Sequence, residues 1–136
     1  VLPEQRNQAE SILRAVGKVV WVEDETLMDT VTAVSGSGPA YFFYFMQALE
    51  QAAIDEGLDR ETARFLTLET ALGAARLAIE TTKSPLELRS QVTSPGGTTE
   101  AAIQVLEHAG ISEILKRAVT AARKRSIDLA ISSGTD

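Results

Sequence analysis

The chain has 136 residues, 44% apolar and 24% charged, which is enough to bury one sizeable core and fits neither a disordered tail nor a membrane protein. Thirteen Lys and Arg against 19 Asp and Glu leave a formal charge of -6, which opposes binding to a phosphate backbone and argues against nucleic acid as a partner. With no cysteine and one histidine, a disulfide framework, a thiolate nucleophile and a Cys- or His-rich metal site are excluded, and reducing cytoplasm is compatible.

Ala, Leu and Glu, at 19, 14 and 13 residues, outweigh the 18 Val and Ile, so composition favours an all-α fold. The stretch Val1 to Arg6 has no initiator Met and none of the features of a signal peptide, and it reads as a cut. A first helix is expected from Pro3 to Val16, with Gly17 as its stop. Lys18 to Val22 is short, β-branched and apolar, the pattern of a buried strand. No second strand follows, so its partners are expected in an α/β domain upstream.

Helical spacing resumes at Leu27, Met28, Val31 and Val34, and a break is expected at Ser35-Gly36-Ser37-Gly38. Pro39 then restarts a helix that gathers both tyrosines and three of the four phenylalanines. Its first turns are apolar on every face, and such a helix must be covered all round. The apolar run is far shorter than the ~20 residues that cross a bilayer, so a partner subunit is the expected cover. Gly57 ends this helix and Asp59 caps the next, Arg60 to Thr82, whose Phe65, Leu68, Leu72, Ala75 and Ile79 share one side. Ser84-Pro85-Leu86-Glu87 signals a capping box and a short helix to Val92. A helix from Thr98 closes at Gly110, Ser112 opens the last one, and residues 132–136 should fray.

Two stretches could carry chemistry. Ser94-Pro95-Gly96-Gly97-Thr98-Thr99-Glu100 is a glycine turn opening onto a helix, where amides, dipole and hydroxyls converge on an anion site for a carboxylate or phosphate. Spacing alone favours a plain helix-to-helix turn with Thr98 as N-cap. Ser35 to Tyr41 begins like a dinucleotide loop, but Tyr41 stands where the third glycine belongs and no strand precedes it, which leaves a turn before Pro39. His108, near a helix end, reads as a surface residue. Lys116, Arg117, Arg123, Lys124 and Arg125 read as a solvated basic face, and Trp21 as packing for the expected strand.

Taken together, Val31-Thr32-Ala33-Val34-Ser35-Gly36-Ser37-Gly38-Pro39-Ala40-Tyr41 and Val92-Thr93-Ser94-Pro95-Gly96-Gly97-Thr98-Thr99 resemble the C-terminal part of pyrroline-5-carboxylate reductases. The likeness runs from Val1 to about Ala130, with Leu88-Arg89 before the second motif and Ala102, Leu106 and Glu107 after it. It implies a helical dimerisation and substrate-binding domain over residues 23–136 with interlocking helices, and a remnant of a dinucleotide-binding Rossmann domain over residues 1–22. The implied activity is NADH- or NADPH-dependent reduction of a cyclic imine to proline by a cytoplasmic homodimer or an oligomer of dimers, with no metal, nucleic acid or membrane involved.

By the same resemblance the turn holds the substrate carboxylate. Ser94 and Thr99 would contribute hydroxyls, Gly96, Gly97 and Thr98 chiefly amides, and Thr99 stands near the ring nitrogen as the catalytic hydroxyl. The cofactor loop is not in this sequence, so the segment alone is expected to be inactive and to bind dinucleotides weakly. A related imine or carbonyl reductase and a stand-alone oligomerisation module are the alternatives.

Overall fold

A computed structural model describes residues 2–133, and among them the chain is helical or irregular with no strand. Helix α1 (Pro3–Arg14) starts with Pro3 in its first turn, where a missing amide hydrogen leaves nothing unpaired, and Gln5 Oε1 accepts from the Leu2 amide at 3.1 Å. It stops two residues short of the expected Val16.

The stretch Lys18 to Val22 forms no strand, and Val20 is 84% exposed. A strand needs a neighbour for its amides and carbonyls, and the described residues offer none. The segment is fastened by its tryptophan instead. Trp21 Nε1 donates to Glu10 Oε2 at 2.9 Å, and the Arg6 guanidinium lies 4.6 Å from the indole centroid. The Trp21 bond, then the bond from Arg14, holds the Glu10 carboxyl below its usual range.

Asp24 caps a 3-10 turn at Glu25–Leu27 by accepting from the Thr26 amide at 2.9 Å and its hydroxyl at 2.6 Å. Helix α2 (Met28–Val31) follows, and the break expected at Ser35 to Gly38 is absent: the chain stays helical through a π turn, Thr32–Gly36. The Ser37 amide reaches back five residues to Thr32 O at 2.9 Å. That frees the Ala33 carbonyl, which would have accepted in an α register, and the Tyr41 hydroxyl donates to it at 3.1 Å.

Helix α3 (Gly38–Asp55) ends before Gly57, whose φ is 102°. Asp59 then caps α4 (Arg60–Glu80), accepting from the Thr62 amide at 3.0 Å and its hydroxyl at 2.7 Å. The chain continues through α5 (Pro85–Gln91), α6 (Thr98–His108) and α7 (Ile111–Ser133). Ser112 lies inside α7, which starts one residue earlier. Of residues 132–136, expected to fray, Ser132 and Ser133 instead continue α7, and 134–136 fall outside the described residues.

Packing divides the molecule into two parts. Helices α3 and α4 form a hairpin, while α7 receives α2, the π turn and α6. Ala118, Val119, Ala122, Ser126 and Ile127 make the half-buried face of α7, and Ser126 Oγ donates to Asp29 Oδ1 of α2 at 2.7 Å.

Neither part has a core of its own. Among the described residues the wholly buried apolar side chains are Ala33 and Ala63, and no large side chain is fully covered. Phe42, Phe43, Tyr44 and Phe45 are 69%, 66%, 74% and 51% exposed, so the all-round cover expected for α3 is not supplied by this chain. The accessible surface is 11,237 Å², whereas a compact monomer of this mass exposes about 6,900 Å². An excess of that size is what a protomer shows when its core is completed from outside.

Candidate functional site

Helix α5 sets the approach to the glycine turn. Its capping box is reciprocal: the Glu87 amide donates to Ser84 Oγ at 3.3 Å, and Glu87 Oε2 accepts from the Ser84 amide at 2.7 Å. The Ser84 hydroxyl also donates to Glu87, and these bonds hold the Glu87 carboxyl below its usual range. Thr93 Oγ1 donates to Arg89 O at 2.7 Å and closes the C-terminal end.

Ser94 to Gly97 then reverse the chain. The Gly97 amide donates to Ser94 O at 3.0 Å and Gly96 has φ of 71°, which with Pro95 before it is the signature of a type II turn. Gly97 is constrained sterically, because a Cβ there would sit 3.0 Å from the Ser94 carbonyl oxygen. Gly97 is also the N-cap of α6 and, having no side chain, provides no cap hydrogen bond. The first amides of α6, those of Thr98, Thr99 and Glu100, therefore lead the helix at the positive end of its dipole.

The turn thus brings Ser94, Gly96, Gly97, Thr98 and Thr99 into one place. Ser94, Gly96 and Thr98 are exposed, and Gly97 and Thr99 are half-buried. Of the amides, Gly97 is bonded to Ser94 O and Gly96 to the Glu100 carboxylate, Oε2 at 2.7 Å. The latter contact was not foreseen, although a signal for it exists: Glu100 is at the third position after the Gly97 cap, the spacing read correctly at Ser84 and Glu87.

A second tie, Arg89 to Glu107 Oε1 at 3.0 Å, joins α5 to α6. Arg89, Thr93, Glu100, Gln104 and Glu107 line the groove between the two helices, a cavity of about 300 Å³.

The remaining candidates stand apart from this centre. His108 Nδ1 lies 2.7 Å from Gln104 O, roughly 15 Å along α6 from the turn at helical rise. Lys116 pairs loosely with Glu113 at 3.6 Å, both exposed, as a solvated face does. The glycines of Ser35 to Tyr41 belong to the π turn and the start of α3, with no strand before them. Among the described residues no cluster of His, Cys, Asp or Glu could hold a metal, and no helix is long and apolar enough to cross a membrane.

Residues 25–129 match the family model for pyrroline-5-carboxylate reductase dimerisation. A pyrroline-5-carboxylate reductase of Pseudomonas aeruginosa is 53% identical over 126 residues, covering 93% of this chain and 46% of the relative. One of Pasteurella multocida is 47% identical over 125 residues, covering 91% and 46%.

Among solved structures, a pyrroline-5-carboxylate reductase of Coxiella burnetii superposes with a TM-score of 0.91 at 53% identity, covering 95% of this chain and 48% of that one. A Plasmodium falciparum pyrroline carboxylate reductase with NADP bound gives 0.84 at 30% identity, covering 93% and 48%. The chain spans about half the length of these relatives. With the match covering the π turn, the α3–α4 hairpin, the glycine turn and nearly all of α7, the chain belongs to the pyrroline-5-carboxylate reductase dimerisation family.

Proposed function

We propose that the chain is the substrate-binding and dimerising half of a cytoplasmic NAD(P)H-dependent reductase that converts 1-pyrroline-5-carboxylate to L-proline in proline biosynthesis. The feature that supports this most is the Ser94–Thr99 turn, which leads into a helix start with no side-chain cap. The substrate is a cyclic imine carrying a carboxylate. The amides of Thr98 and Thr99, at the positive end of α6, suit that carboxylate, and the Ser94 hydroxyl adds a donor at the rim. Gly96 and Gly97, whose own amides already have acceptors, contribute shape and close approach.

Reduction needs a hydride at the imine carbon and a proton at the ring nitrogen. Bound NADH or NADPH supplies the hydride. The described residues give such a cofactor no phosphate cradle, because no strand leads into a glycine loop. Its main site belongs to a dinucleotide-binding half of which residues 1–22 are a remnant, with residues 23–136 the helical domain. The proton falls to Thr99, whose half-buried hydroxyl hydrogen-bonds the ring nitrogen and positions or relays it.

The functional unit is a homodimer, from which larger assemblies are built. The apolar groove between α3 and α4, lined by Phe42, Phe45 and Leu49 against Ala71, Ala74 and Ala78, is where a second copy completes the core.

Thr99→Val in the full-length enzyme tests the reading, since it keeps shape and removes the hydroxyl. Loss of a positioned proton donor lowers kcat by ~10² to 10⁴ with little change in KM. Thr98→Val, which preserves the amide, should stay near the parent. A larger kcat loss in Thr98→Val than in Thr99→Val would refute the assignment.

A further inference from the structure

The type II turn is closed at its ends by the Gly97 to Ser94 bond, but its middle residue, Gly96, has the greatest backbone freedom of any residue type. What restrains it is a side chain. Glu100 Oε2 accepts from the Gly96 amide at 2.7 Å, and among the described hydrogen bonds no other side chain reaches the backbone of the turn. The partners along this face of α6 are divided. Arg89, which lines the same groove, is engaged by Glu107 two turns further on, and the half-buried Glu100 is directed to the turn. As the third residue of α6, Glu100 also sits where the helix dipole favours a carboxylate.

We propose that Glu100 is a positioning residue for substrate binding: by bonding the Gly96 amide it holds the turn in its left-handed form and keeps the Thr98 and Thr99 amides aligned on the substrate carboxylate. The role rests on the reading of this turn as the carboxylate site. Glu100 itself touches no reacting atom. Its action is exerted through Gly96, and it assigns the two glycine amides to the frame and the two threonine amides to the ligand.

The test compares Glu100→Ala with Glu100→Gln in the full-length reductase carrying this segment. Glu100→Ala should raise KM for the carboxylate substrate about tenfold, the worth of one charge-assisted hydrogen bond, and leave KM for the nicotinamide cofactor unchanged. Glu100→Gln keeps an acceptor oxygen at the same reach and should hold the substrate KM within about threefold of the parent. In the chain itself the Gly96 amide resonance should move in Glu100→Ala and stay close to its parental position in Glu100→Gln.

If Glu100→Ala does not fold, Glu100→Asp takes its place, its carboxylate one methylene too short to reach Gly96. A raised substrate KM supports the clamp and a parental one overturns it. An unchanged KM in Glu100→Ala, or equal impairment of Ala and Gln variants, overturns the role alone. A parent enzyme that does not reduce 1-pyrroline-5-carboxylate overturns the functional reading and the role with it.

Discussion

The α3–α4 hairpin and the α5–turn–α6 segment lie in one chain and are specified in opposite ways. The hairpin carries large apolar side chains, Phe42, Phe45 and Phe65 among them, that the chain leaves exposed, so its geometry acquires a core only when another surface covers it. The turn segment is a closed frame of local bonds: the Ser84–Glu87 box, Thr93 to Arg89, Gly97 to Ser94, Gly96 to Glu100 and Arg89 to Glu107. One region is left for another surface to complete, and the other is shaped by its own bonds. On the proposed function, assembly and recognition are therefore separable by mutation.

The largest effect should come from charge placed in the hairpin. Phe45→Asp puts an unpaired carboxylate in the apolar groove and should abolish assembly or folding. Light scattering that finds a dimer of unchanged thermal stability would remove Phe45 from the interface. A well-folded monomer of the parent chain would remove the interface altogether.

Gly96→Ala should be smaller and confined to the turn. Nothing lies within 4 Å of the added Cβ, so the cost is backbone strain at φ of 71°, about 1 to 2 kcal/mol in thermal unfolding at matched concentration. An unchanged dimer with weakened substrate binding is the expected pattern. Loss of dimer instead would mean that the two regions are coupled.

Ser84→Ala removes the hydroxyl of the capping box and should cost about 1 kcal/mol with assembly intact. An effect indistinguishable from zero would show that α5 is held by the Arg89–Glu107 tie rather than by its cap.

The smallest effect is that of pH. Asp24, Asp59 and Glu87 all have folded values below the ordinary carboxylate range, chiefly from hydroxyl bonds of Thr26, Thr62 and Ser84. The stability they confer is complete above that range and is lost as pH falls through it towards the lowered folded values. Ser84→Ala should flatten the Glu87 share of this acid slope, and a slope unchanged by the substitution would deny the bond its role.

What the sequence disclosed follows the same division. Asp59, Ser84, Pro85 and Gly57 announced their helix boundaries because capping and left-handed turns are decided within four residues. The glycine turn was legible for the same reason, but the Glu100 clamp was missed because its acceptor reaches one residue beyond the usual box. The Lys18 to Val22 strand failed because pairing is a property of a neighbour. The π turn failed because glycine and serine read as a break, whereas the register shift depends on Tyr41 taking over the Ala33 carbonyl. The cover of α3 was legible only as a need, since the partner surface that meets it is not a local property.

The π turn also fixes how this chain can change in length. It holds one residue more than an α-helical turn would, and the wider loop absorbs that residue, so α2, docked on α7, and α3, facing α4, keep the phase of one continuous helix. Deleting Ser35 would let the bonding revert to the α register while the helix after it turned by little. Phe42 and Phe45 would stay on the groove, whereas the Ala33 carbonyl would recover a helical donor and release the Tyr41 hydroxyl. Between Gly38 and Asp55, by contrast, the loss of a single residue rotates everything after it by about 100°.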